Sequence, residues 1–131
     1  MRYYWENLPP SLRKQREVLH QIIEAMAQVR PLQRVILFGS HARGEARPDS
    51  DVDLCVVAEE AEEQIQTAIQ FRRQLRAIAD RPTLTLIPIS PRRWSEKQAI
   101  GDPFFQTIER EGKILAENNG FRKPGRLAVV S

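Results

Sequence analysis

Residues 34–57 read RVILFGSHARGEARPDSDVDLCVV, and the order of features in this stretch decides the fold. Val35, Ile36 and Leu37 form the middle of a short, mostly apolar run from Arg34 to Phe38, which predicts a buried strand. Gly39 and Ser40 break that run. His41 to Ser50 holds Gly44, Pro48, Asp49 and Ser50, a turn-forming composition with room for one short helical turn at its start. Asp51 to Val57 then alternates. Asp51, Asp53, Cys55 and Val57 share one face of a second strand, and Val52, Leu54 and Val56 share the other.

Upstream of this stretch, Leu12, Leu19, Ile22, Ile23, Met26 and Val29 recur at helical spacing across residues 11–30. Ser11 is the expected N-cap after Pro9 and Pro10. Downstream, residues 59–79 return to helical spacing through Ile65, Ala68, Ile69, Leu75, Ile78 and Ala79, with Arg72, Arg73 and Arg76 expected outside. Thr83 to Ile89 is a third strand. Ser90-Pro91 and Asp102-Pro103 each read as an N-cap followed by a proline at the first helical position, and Gly112 closes the second of these helices. Lys113 to Ala116 is expected as an edge strand. One domain over 1–116 and a loose tail over 117–131 follow. The fold class is α/β or α+β, a small mixed sheet with helices packed over it. Whether the first two strands pair as an antiparallel hairpin is left open.

At 131 residues the chain is long enough for one domain with a real core. Twenty basic residues against 17 acidic ones give a net charge of +3, too small an excess to single out a polyanionic partner. The lone Cys55 excludes an intramolecular disulfide and suits a reducing compartment. With no leader-like segment and no run of roughly 18 apolar residues, a cytoplasmic protein with no membrane span is expected.

Two aspartates two residues apart on a strand point to the same face, so their oxygens can share a hard cation such as Mg²⁺. Without one, like charges this close raise a pKa. A glycine directly after a strand lets a phosphate approach the backbone, and Ser40 adds a hydroxyl and an N–H. Triphosphate and metal would meet there, which suits phosphoryl-type transfer. Gly39 to Gly44 is not a Walker A loop, because Glu45 stands where lysine is required. His41 has no nucleophile to serve and reads as solvent-facing or phosphate-adjacent. His20 reads as a helix-surface residue. No Cys or His cluster surrounds Cys55, which argues against zinc. Arg92, Arg93 and Trp94, and Arg122, Lys123 and Arg126, give weak support for RNA; the alternative is an ordinary surface with one anchored tryptophan.

Together, strand, Gly39-Ser40, a ten-residue turn and a strand opening with Asp51-x-Asp53 resemble the signature of the DNA polymerase β-like nucleotidyltransferases. Within these, the spacing is similar to the minimal nucleotidyltransferase antitoxins paired with HEPN-domain proteins. The resemblance is strong over Val35 to Val57 and weaker over Phe105 to Leu115. It implies a polymerase β-like fold, with Gly39 and Ser40 on the β and γ phosphates of ATP and Asp51 and Asp53 as Mg²⁺ ligands and catalytic residues. Arg43 is a further phosphate contact or a surface arginine. The resemblance also implies a HEPN-domain partner within an oligomer or hetero-complex, with a tyrosine hydroxyl as acceptor. One position departs from the family. Thr85 stands where active members carry a third carboxylate, and Asp80 could fill that place only under a different register.

Overall fold

The computed structural model describes residues 1–118. The expected tail falls outside them from residue 119 onward. Five strands form one sheet: β1 (Arg2–Tyr3), β2 (Leu32–Phe38), β3 (Val52–Ala58), β4 (Leu84–Ile89) and β5 (Lys113–Glu117), in the order β1-β5-β2-β3-β4. The β2–β3 hairpin is antiparallel, as are β2–β5 and β1–β5, whereas β3 and β4 run parallel through the crossover helix α3 (Gln64–Leu75). The sheet is therefore mixed, as the sequence predicts.

Helices cover both faces. Val52, Leu54 and Val56 join Leu84 and Leu86 beneath α1 (Arg16–Val29) and α3, against Leu19, Ile22, Ile23, Met26 and Phe71. Cys55 and Val57 join Ile36 and Ile89 on the opposite face, against Trp94 of α4 (Pro91–Ala99) and Phe105 and Ile108 of α5 (Pro103–Glu111). The period-two alternation of β3 thus feeds two separate cores. Both proline-led helices start as predicted: Ser90 Oγ accepts from the Arg93 N–H at 3.2 Å, and Asp102 Oδ1 accepts from the Phe105 N–H at 3.1 Å. No helix of the described residues is long and apolar enough to cross a membrane.

Three local expectations fail for physical reasons. Residues 10–15 form a 3₁₀ segment and α1 begins only at Arg16, because the Ser11 hydroxyl is engaged 2.8 Å from His41 Nδ1 instead of capping a helix. Helix α3 is shorter than residues 59–79 and rotated, burying Thr67, Phe71 and Leu75 while leaving Ile65 80% and Ile69 40% exposed. The large ring of Phe71 is the side chain that most needs the core, and it sets the face. Strand β5 runs one residue past Ala116 to Glu117 and is not the edge. Tyr3 and Arg2 pair with Ala116 and Glu117, and the Tyr3 hydroxyl donates to Glu24. Buried Arg34 fixes the same corner through Glu117, at 2.8 Å.

Trp94 is 1% exposed, so Trp94→Ala is expected to cost about 3–5 kcal/mol in urea unfolding. Ile65→Ala is expected to cost less than about 0.5 kcal/mol. Comparable losses at the two positions would put Ile65 back in the core.

Candidate functional site

Strand pairing places the acidic residues. Asp53 lies opposite Phe38 of β2 on one side and Thr85 of β4 on the other. Asp51 immediately precedes β3, so alternation brings Asp51, Asp53 and Thr85 to the α4/α5 face of the sheet. Asp51 is exposed and Asp53 half-buried. The Thr85 hydroxyl donates to Asp51 Oδ2 at 3.4 Å and sits near enough to Asp53 to draw its pKa down. Burial nevertheless holds the Asp53 carboxyl above its ordinary value, and the Asp51 charge adds to this, against the pull of Thr85, His41 and Arg43.

Gly39 opens the four-residue helical turn α2 (Gly39–Ala42) with a left-handed φ of 74°. A Cβ there would fall on Asp53 Oδ2. The residue must therefore be glycine both for its backbone conformation and for the closeness of the carboxylate. Ser40 follows, and Gly39, Ser40, Arg43 and Asp53 line a cavity of about 370 Å³ together with Phe38. Its other wall is α5, through Phe104, Thr107, Ile108 and Glu111. In the sequence the Asp102-Pro103 cap locates this helix, but nothing in its spacing says which turn faces the carboxylates. Arg43 stands exposed at the rim, its Nε donating to Glu45 Oε1 at 2.7 Å.

His41 is neither solvent-facing nor part of this cavity's lining. It is 6% exposed, bonded to Ser11, with Nε2 3.4 Å from the carbonyl of Ser50. Since Ser50 precedes Asp51, the imidazole ties the turn α2 to the loop that delivers the first aspartate. Asp80 lies on the α3 side, in the turn before β4 with φ of 60°, and does not join the pair. Among the described residues no three His, Cys, Asp or Glu side chains gather as a metal cluster. Burial pushes the Cys55 thiol up to about 12, so it stays a neutral core group. His20 packs edge-on to Tyr3 and Trp5. Trp94 is buried against Phe105, and Arg92 is paired with Glu62 and Glu96, which removes this cluster as an RNA-stacking surface. The basic residues of the tail lie outside the described residues.

The family model described as "Nucleotidyltransferase domain" matches residues 19–115. A solved protein of Sulfolobus solfataricus assigned as a nucleotidyltransferase superposes with a TM-score of 0.56 at 18% identity, over 84% of this chain and 86% of that one. That likeness is one of fold. A toxin–antitoxin complex solved with AMP-PNP aligns with a TM-score of 0.43 at 20% identity, over 76% of this chain and 73% of that one. No curated protein matches the chain.

A raised carboxyl pKa means that the folded protein holds its proton more tightly than the unfolded chain does. The contribution of Asp53 to stability is complete below its unfolded value near 3.8 and is lost as pH rises through the folded value. Asp53→Asn is therefore expected to raise the Tm of the metal-free protein at pH 7 by about 1–4 °C, a gain that vanishes near pH 3. Thermal scans at the two pH values check this; an unchanged Tm at pH 7 counts against a strained carboxylate.

Proposed function

The chain belongs to the nucleotidyltransferase domain family, and from that premise we propose that it moves a nucleoside monophosphate, AMP from ATP, onto a hydroxyl. The observation that carries this reading is the half-buried Asp53 carboxylate lying against the Gly39 backbone, with Ser40 in the same cavity. In the reaction the acceptor oxygen forms a bond to the α-phosphorus, the bond to the bridging oxygen breaks, and pyrophosphate leaves. Gly39 gives the triphosphate close approach to the backbone and Ser40 donates to it, while Arg43 exchanges Glu45 for phosphate. Phe104, 47% exposed, offers an apolar wall to the base.

The donor set fits a divalent cation such as Mg²⁺. Asp51 and Asp53 would hold it through two hard, repelling carboxylates whose strain a cation would relieve. When bound, the ion supplies charge neutralisation to the phosphates. Thr85 offers no carboxylate to take the acceptor proton, so the proton passes to water and turnover is slow.

The spacing from Gly39-Ser40 to Asp51-x-Asp53 supports a HEPN-domain protein as the partner, presenting a tyrosine hydroxyl in a hetero-complex. The setting is a cytoplasm in which Cys55 stays reduced. Thr85 also favours a second reading: a catalytically weak subunit that neutralises its partner by contact.

Mg²⁺-ATP at a hundredfold excess over Kd is expected to stabilise the protein by about 2.7 kcal/mol, and Asp51→Asn with Asp53→Asn to remove that gain while leaving the apo fold intact. Retained stabilisation in the double variant sinks the proposed site. With ATP labelled at the α-phosphate, Thr85→Asp is expected to raise transfer up to about 100-fold. Stabilisation without transfer in either protein, beside an intact partner complex, favours the contact-only subunit.

A further inference from the structure

Arg30, Arg34, Arg43, Arg92 and Arg110 each meet a carboxylate. Arg72, Arg76 and Arg81 meet none among the described residues, yet they surround one cavity of about 620 Å³ on the α3 side, at the start of β4. All three are exposed. Arg72 spends one N–H on the Leu84 carbonyl at 3.1 Å and Arg81 one on the Ile78 carbonyl at 3.1 Å, while the Arg76 side chain has no hydrogen-bond partner among the described residues. Arg73, also exposed and without a carboxylate partner among the described residues, is a helical neighbour of Arg76. Asp80 is the single acid of the lining and pairs with none of these arginines, so the cavity keeps a clear positive excess.

We propose that this cavity binds the phosphate backbone of single-stranded RNA, a ligand beyond the nucleotide-transfer site and independent of it. Planar guanidinium forks match phosphate oxygens, and three of them line this one concavity. The track is longer than one phosphate. A second cavity, of about 410 Å³, shares Pro82 and Thr83 with the first and adds Arg47, whose side chain has no carboxylate partner among the described residues, beside the single acid Asp49. An extended chain of phosphates uses both, whereas a single small anion uses one. The arginine cavity has no aromatic side chain in its lining, which leaves backbone contact rather than base reading as its mode. It also lacks the aromatic anchor on which protein interfaces commonly depend, which argues against an acidic protein.

The test is fluorescence anisotropy of a labelled single-stranded RNA of about 12 nucleotides across a salt series. Binding is expected to weaken with salt, with a slope of about 0.7 in log K against log salt for each phosphate neutralised. Arg76→Gln with Arg81→Gln is expected to weaken binding about tenfold at low salt and to lower the slope by about 1.4. Arg76→Glu alone, at a side chain with no hydrogen bond or ion pair among the described residues, is expected to weaken binding without removing a structural contact. Arg92→Gln leaves it unchanged, and so does Asp51→Asn with Asp53→Asn, so a failure of nucleotide transfer is a separate result. RNA affinity unaffected at Arg76 and Arg81, or no binding at low salt, overturns the proposal. Equal affinity for polyglutamate of matched charge also overturns it, in favour of an acidic protein.

Discussion

The register of β3 is the constraint from which the rest of the structure follows. This strand is paired on both edges and buried on both faces, so a slip of one residue would drive Asp53 into the α1/α3 core and turn Leu54 towards the cavity. Apolar burial on two sides therefore aims the carboxylates. Neither aspartate could hold this orientation through its own contacts, because a charged group gains little from a half-buried sheet end. The orientation is set by Leu54, Cys55, Val56 and Val57 further along the strand, each of them 0% exposed.

Once the register is fixed, the two carboxylates are strained by where they stand. Burial and the neighbouring charge both favour a protonated Asp53, and the Gly39 backbone closes against it so that water cannot surround it freely. A fold stabilised by other contacts can bear this, and the contacts that bear it lie close by. His41 joins α2 to Ser11 on one side and to the Ser50 carbonyl on the other, so the loop carrying Asp51 is held from beneath. The α5 wall is positioned separately, by the Asp102 cap and by Phe105 and Ile108 buried in the smaller core.

What the sequence made legible divides along physical lines. Strand alternation, the two Ser/Asp-Pro helix starts and the glycine at the strand end are local signals, and the structure realises them. The features that did not show depend on distant partners. Ser11 has the composition of a cap, but its hydroxyl goes to a histidine 30 residues away. Helix α3 has two apolar stripes, through Ile65 and Ile69 and through Phe71 and Leu75, and only the surface beneath it decides which is buried. The two-residue strand β1 has no periodicity to detect and exists because β5 offers it an edge. Of the site residues expected from alternation and the glycine-serine break, Gly39, Ser40 and Asp53 line one cavity and Asp51 lies outside its lining, whereas Phe104, Thr107 and Glu111 enter only through the packing of α5.

Thr85 has a consequence for the protein at rest as well as for its chemistry. A carboxylate at that point would put a third negative charge beside Asp53 in strand register, raising the strain of the empty site and making the fold more dependent on a bound cation. A hydroxyl does the reverse. It donates a hydrogen bond to Asp51 and draws the Asp53 carboxyl down against the raising effect of burial, at lower cost to the apo protein than a third carboxylate. The same atom that cannot act as a carboxylate base therefore steadies the two carboxylates beside it. Under the proposed function, this arrangement favours affinity for nucleotide over speed.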